Sequence, residues 1–384
     1  SLAVPPGAPL DLATGTPLNP PPPAGWVWHA VEGTKCRDGS PAGIYTHEGT
    51  ADGLFFYLEG GGACSSPGFC NFNPASVATS LSGTGETVLG SAAGAIGPRQ
   101  QPGVYEGNVL RGVFDLSNAA NPFKDWHMVY VPYCTGDVHF GSKENGTIPG
   151  VAAPQQFVGY RNMQKFVARV VPTFKDRVSQ VVLAGSSAGG FGAALNASLV
   201  QDNFGEVPVD IVIDSGPPFT DKYMPVCLQQ RWRALWGLND SMPPDCTECR
   251  QADGGGMLKL ADFLQRKHPN SSIALISSVQ DEVIRLFFST GLKNCASFET
   301  ADPVAITLGQ IDPLVYIPGA DYTAALTELR GLYQSTGRFA TYYLGGQFHE
   351  HLFRQRFFEP AAGGKTIAAF LSDFIAGNNA QVGP

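Results

Sequence analysis

Residues 180–196, QVVLAGSSAGGFGAALN, constrain the fold of this chain more than any other stretch. The apolar, β-branched opening (Val181, Val182, Leu183) reads as a buried strand. Gly185-Ser186-Ser187-Ala188-Gly189 then matches G-x-S-x-G. Gly190, Gly192 and the small run Ala193-Ala194-Leu195 suit a helix packed close to a sheet. Strand, tight turn and helix in succession put Ser187 at a strained apex, its hydroxyl exposed at a helix start. The flanking glycines let the backbone reach such angles and keep side chains clear. A pentapeptide of this kind carries little weight in a chain with 46 glycines. The strand before it and the small residues after it make Ser187 a candidate nucleophile.

A serine hydroxyl is a weak nucleophile until a base takes its proton, and that base must be held by a third group. The chain order serine, acid, histidine can be filled at strand ends, the side on which parallel sheets build their sites. Asp281 lies just past the run SSIALISS, and His349 just past FATYYL. Glu282 and Asp214 compete with Asp281, and an isolated aspartate in such a place often serves as a helix N-cap. His351 competes with His349, which lies nearer its strand and is preferred. Gly60, Gly61 and Gly62 follow the buried run LFFYL. Their backbone, with the N–H of Ala188, fits a pocket for an oxyanion.

Strand patterns recur at 26–30, 43–46, 54–58, 126–132, 207–213, 272–277 and 339–344, and helical spacing at 155–174, 257–266 and 366–376. The alternation predicts an α/β fold, a mainly parallel sheet covered by helices on both faces. Residues 1–25, rich in proline, read as an extended surface arm, and residues 26–384 as a single domain. The Gly/Ala/Ser-rich stretch 73–120 is expected to be a lid or substrate-side insertion. Residues 223–251 hold three cysteines with Trp232 and Trp236, which fits a disulfide-tied cap.

Eight cysteines scattered through loop-like segments point to disulfides formed in an oxidising compartment, secreted or periplasmic. Cys246-x-x-Cys249 has no second pair to complete a zinc site, so no metal is expected. A net charge of −8 without a basic tract argues against nucleic acid, and no apolar run approaches a membrane span. The absence of a leader pattern at Ser1 fits a mature or trimmed form. Four glycosylation sequons (Asn145, Asn196, Asn239, Asn270) matter only if a eukaryote makes the chain. A monomer is favoured.

The blocks LEGGGACSS, NPFKDWHMVYVPYCTGDVHFGS, AGSSAGGFGAALN, DSGPPF, QDEVIRLFF and FHEH, in this order between residues 54 and 351, resemble the pectin acetylesterase/Notum family of secreted serine carboxylesterases, with bacterial members nearest. The resemblance implies an α/β-hydrolase-like fold, to which this chain adds loop and lid insertions, and a secreted location; the triad chemistry needs no cofactor. The resemblance places a triad on Ser187, Asp281 and His349 and the oxyanion loop on Gly60 to Gly62 with Ala188. Family members remove acetyl groups from plant cell-wall pectin or a fatty acyl group from a secreted signalling protein. Ala63 stands where an aromatic often follows the glycines, and His351 is also unusual. The expectation is an esterase acting on acetyl or short-chain esters of a polymer such as acetylated polysaccharide. Alternatives are a polyester depolymerase on the same triad, a thioesterase or peptidase, or a catalytically silent carbohydrate-binding protein. Trp126, His139 and Phe140, near the PYCTGDVH loop, are expected to line the substrate cleft.

Overall fold

A computed structural model describes residues 15–18, 25–79, 104–105, 109–110, 112–250, 256–295 and 317–384. Nine strands form the central sheet: β1 (Trp26–Lys35), β2 (Pro41–His47), β3 (Gly53–Leu58), β4 (His127–Val131), β5 (Gln180–Ser186), β6 (Val209–Asp214), β7 (Ile273–Ser278), β8 (Phe339–Leu344) and β9 (Gln381–Val382). Their spatial order is β1-β2-β4-β3-β5-β6-β7-β8-β9. β2 pairs antiparallel with β1 and β4, and every other neighbouring pair is parallel. After β3 the chain places β4 on one side and β5 on the other. The carboxyl ends of β3 and β5 therefore flank a switch point, where open α/β sheets leave a crevice.

The main helices are α1 (Gly159–Phe174), α2 (Ala188–Phe204), α3 (Val226–Trp236), α4 (Gly256–Lys267), α5 (Glu282–Ser289), α6 (Gly319–Tyr333) and α7 (Ile367–Ile375). Every residue of β3, β4, β6, β7 and β8 is buried, because helices cover both faces of the sheet. Side-chain alternation divides each strand between two cores. Leu54, Phe56 and Leu58 of β3 join Met163 and Phe166 of α1 and Leu195 of α2 on one side. Phe55 and Tyr57 join Phe370 and Phe374 of α7 on the other. Each such side chain contributes about 1.5–3 kcal/mol of burial.

The strands fall within two residues of their sequence signals, apart from extensions of β1 and β5 and the C-terminal β9, which carries no apolar run. The helical spacing expected from residue 155 begins later, at Gly159, because Gln155–Phe157 pairs instead with Lys143–Gly146. Of the N-terminal arm, residues 15–18 are described: Leu18 is buried and its N–H donates to Thr173 Oγ1 at 2.8 Å. The remainder of residues 1–24 lies outside the described residues. Most of the expected insertion at 73–120 does too, but its far end is core. Val113 and Phe114 are buried, and the Val113 N–H donates to the Leu352 carbonyl at 2.8 Å. Among the described residues, no helix is long and apolar enough to cross a membrane.

All eight cysteines pair, as Cys36–Cys134, Cys64–Cys70, Cys227–Cys295 and Cys246–Cys249. The C-x-x-C motif thus closes on itself. Closing a loop restricts the unfolded chain more the longer the loop, and Cys36–Cys134 spans 98 residues against 3 for Cys246–Cys249. Replacing Cys36 and Cys134 together by serine is expected to cost about 4–5 kcal/mol. The Cys246/Cys249 double variant should cost less than half as much. Urea midpoints of the two variants against the parent check this ordering.

Candidate active site

Ser187 stands between β5 and α2 with φ 55° and ψ −121°, a conformation rare for a residue with a side chain. Its N–H donates to the Asp214 carbonyl at 2.8 Å, and its own carbonyl accepts from Gly190 at 2.9 Å. The turn can close because both motif glycines lack a side chain. A Cβ at Gly185 would overlap the Gly189 carbonyl, and one at Gly189 would overlap the Leu58 carbonyl. The neighbouring Ser186 is fully buried and its hydroxyl donates to Asp214 Oδ2 at 2.7 Å, so it is occupied elsewhere. Ser187 is the serine that borders open space.

Asp281 and His349 are 68 residues apart and meet at the carboxyl edge of the sheet. His349 Nδ1 lies 2.8 Å from Asp281 Oδ2 and 3.0 Å from Oδ1. Asp281 also caps α5, its Oδ1 accepting from the N–H groups of Val283 and Ile284 at 3.0 Å each. Asp281 is thus both the N-cap of α5 and the partner of His349: the capped helix end fixes the carboxylate that fixes the imidazole. Burial alone would lower the His349 pKa. The Asp281 charge and hydrogen bond, then Glu350 and Asp214, outweigh it and push the pKa up to about 9.

Asp214, a rival for the acid, has a different task. Its Oδ2 accepts from the N–H groups of His351 and Leu352 at 2.7 and 3.0 Å, pinning the loop that carries His349. His351 is fully buried, with Nε2 3.3 Å from Ser278 Oγ, and burial holds it below the ordinary histidine pKa. Glu350 sits between the two histidines in sequence and beside Ser187 in space. Its Oε1 is 2.5 Å from where a Gly60 Cβ would lie, and Ser187 Cβ is 3.0 Å from the same point. Burial raises its pKa, and His349 and then Arg354, the latter at 3.8 Å, partly offset that. Among the described residues no hydrogen bond joins Ser187 to His349. In unliganded sites such bonds are often long and tighten only around substrate.

The glycine loop is held from behind. Glu59, buried, accepts from Tyr130 Oη at 2.6 Å and from the Tyr133 N–H at 2.7 Å, and His139 Nε2 meets its carbonyl at 2.8 Å. Gly61 (φ 150°) and Gly62 (φ 78°) take angles that favour glycine. Among the described residues, no acceptor takes the N–H of Gly60, Gly61 or Gly62. The Ala188 N–H opens α2 and has no carbonyl within the helix to bind.

An apolar pocket opens beside Ser187 and Ala188. Its walls come from Ile284, Phe287 and Phe288 of α5, Trp232 and Trp236 of α3, and Phe191 of α2. The two indoles stack at 5.6 Å and 10°. Cys227–Cys295 ties the first turn of α3 to the short helix after α5, and Trp236 Nε1 donates to the Cys64 carbonyl at 2.9 Å. The disulfide thus ties α3 to the helix that follows α5, and the indole fastens α3 to the segment just after the glycine loop. The three residues expected to line the cleft do not line this pocket. Trp126 precedes β4 at the amino ends of the strands, against Gly53, because the strand begins only at His127. Phe140 is fully buried against Tyr160. His139 is buried behind the loop, and burial lowers its pKa to about 4, leaving a neutral ring that braces Glu59. Val138, one residue earlier, reaches the pocket instead. Sequence reasoning missed Glu59, the anchoring task of Asp214, Glu350 and the wall residues. The i, i+4 spacing of Trp232 and Trp236 was the available signal for the wall.

Residues 26–253, well over half of the chain, match the pectinacetylesterase family. Palmitoleoyl-protein carboxylesterase notum2 of Xenopus laevis is 32% identical over 188 residues, covering 47% of this chain and 34% of its own length. The human NOTUM palmitoleoyl-protein carboxylesterase is 31% identical over 172 residues (44% and 30%), and that of Drosophila melanogaster 26% over 232 (56% and 31%). The chain thus spans about a third of the length of these curated relatives. Because that match covers more than half of the chain and includes the glycine loop and the Ser187 turn, the chain belongs to the pectinacetylesterase family.

Proposed function

We propose that this protein is an extracellular serine carboxylesterase acting on esters with an apolar short or medium acyl group. The observation that carries the reading is the Asp281–His349 hydrogen bond at the sheet edge where Ser187 stands on its positive-φ turn. In this reading Ser187 Oγ attacks the ester carbonyl as His349 Nε2 takes its proton, while Asp281 holds the Nδ1–H. The carbonyl oxygen gains negative charge and is received by the Ala188 N–H and the Gly60–Gly62 loop. His349 returns the proton to the leaving alkoxide, releasing the alcohol and leaving an acyl-serine. Water then attacks the acyl group with His349 again as base, and the acid departs.

The apolar walls favour an acyl group longer than acetate, which has too little surface to use them. The alcohol side faces a different surface. Phe348, directly before His349, is 59% exposed, with the Arg356 guanidinium 3.7 Å from its ring centroid. A platform of this kind suits a bulky leaving group such as a polymer, consistent with the names of relatives that act on protein-borne acyl groups. Four disulfides fit an extracellular setting.

Ser187→Ala should lower kcat by a factor on the order of 10⁴ or more, measured on p-nitrophenyl esters. Equal activity in parent and variant would favour a binding protein instead. His349→Ala should fall comparably. His351→Ala should stay within about tenfold in kcat/KM and lose stability instead, since its ring fills a buried site.

Acyl-chain length is the second readout. Across p-nitrophenyl acetate to palmitate, kcat/KM is expected to peak at butyrate to octanoate; a monotonic fall from acetate would contradict the pocket assignment.

The pH profile follows from His349. Only the neutral imidazole accepts the serine proton, so a pKa raised towards 9 leaves most of the base protonated at neutral pH. The acid limb of kcat/KM should therefore lie well above the ordinary histidine value of 6.5. Glu350→Gln removes a charge that raises this pKa, so the limb should move to lower pH. A limb unmoved or displaced upward would contradict the assignment.

A further inference from the structure

Phe191 borders the pocket beside Ser187 and also a second apolar crevice. This crevice runs under α2 towards α4 and α6, with Ile211, Leu264, Leu329 and Phe339 among its walls. Among the described residues, Phe191 is the one that lines both spaces. It stands four positions after Ser187, in the first turn of α2, and both residues border the pocket. Its N–H donates to the Ser187 carbonyl at 3.2 Å, which fixes its backbone to the turn. The ring is nearly buried and tilts against Phe288 with centroids 6.2 Å apart.

We infer that Phe191 is a partition that limits the length of acyl chain the site accepts, closing the pocket beside Ser187 off from the crevice under α2. The inference rests on the esterase reading and names a specificity residue within it. An acyl group bound to Ser187 leads its chain into the pocket between α3 and α5, where it meets the Phe191 ring. Beyond the ring the walls are aliphatic and aromatic. Such a surface offers an alkyl chain contacts and a water molecule almost none. Each methylene that reaches it is worth about fourfold in kcat/KM.

The test compares parent and Phe191→Ala on p-nitrophenyl butyrate and laurate. The expected result is a laurate-to-butyrate ratio of kcat/KM that rises at least tenfold. Adding Leu264→Phe, which fills the crevice from its far wall, should return the ratio towards that of the parent. An unchanged ratio, or a rise that Leu264→Phe leaves intact, overturns the partition. Should Phe191→Ala fail to fold, Phe191→Leu opens less space and should give a rise of about threefold, also cancelled by Leu264→Phe.

A second measurement needs no turnover. In the Ser187→Ala background, quenching of Trp232 and Trp236 emission by brominated dodecanoic acid reports binding in the pocket. Phe191→Ala should lower the Kd at least tenfold, and an unchanged Kd overturns the partition. If no variant hydrolyses any ester, the esterase reading fails while this binding result still decides the role of Phe191. If esters are hydrolysed and neither ratio nor Kd moves, the partition fails and the esterase reading stands.

Discussion

Asp214 is where the two halves of the candidate site are tied together. Its carbonyl holds the Ser187 N–H, and its carboxylate holds the Ser186 hydroxyl and the N–H groups of His351 and Leu352. One residue at the end of β6 thus fixes the turn carrying Ser187 and the loop carrying His349. A backbone held at φ 55° costs of order 1–3 kcal/mol and persists only where surrounding contacts over-determine it. Here the contacts are those of Asp214 on one side and the close approach of the Leu58 carbonyl to Gly189 on the other.

From that knot the remaining geometry follows by adjacency in the sheet. β5 lies between β3 and β6, so the glycine loop after β3 and the Asp214 end of β6 flank Ser187. β7 and β8 come next and bring Asp281 and His349 to the same edge. Asp281 caps the helix that supplies Ile284, Phe287 and Phe288 to the pocket wall. Electrostatics and shape are coupled there: a change that frays α5 disturbs both the orientation of His349 and the walls of the apolar pocket.

Much of this was legible in the sequence because the chemistry sits at strand ends, and buried parallel strands announce themselves as short apolar runs. LFFYL, QVVLAGS and FATYYL mark where Gly60, Ser187 and His349 must lie. Helices in cysteine-rich or weakly patterned segments were harder. α6 has a low contrast between its faces and α3 lies among disulfide-bonded loops, so neither stood out before folding. The side chains of the PYCTGDVH loop could not be sorted by proximity to a motif. Val138 and His139 both have positive φ, so consecutive side chains point to different places, one to the pocket and one behind the glycine loop. Tasks such as those of Glu59 and Asp214 depend on contacts between strands remote in sequence, which no local pattern encodes.

The central claim is that Ser187 is the one activated hydroxyl, made reactive by a relay through His349 to Asp281. Covalent labelling with a fluorophosphonate, followed by peptide mass spectrometry, tests it most directly. The account predicts a single phosphonylated serine at Ser187, with labelling strongly slowed in His349→Ala and absent in Ser187→Ala. An adduct on Ser186 or another residue, or hydrolysis of esters that continues with Ser187 unlabelled, would contradict it.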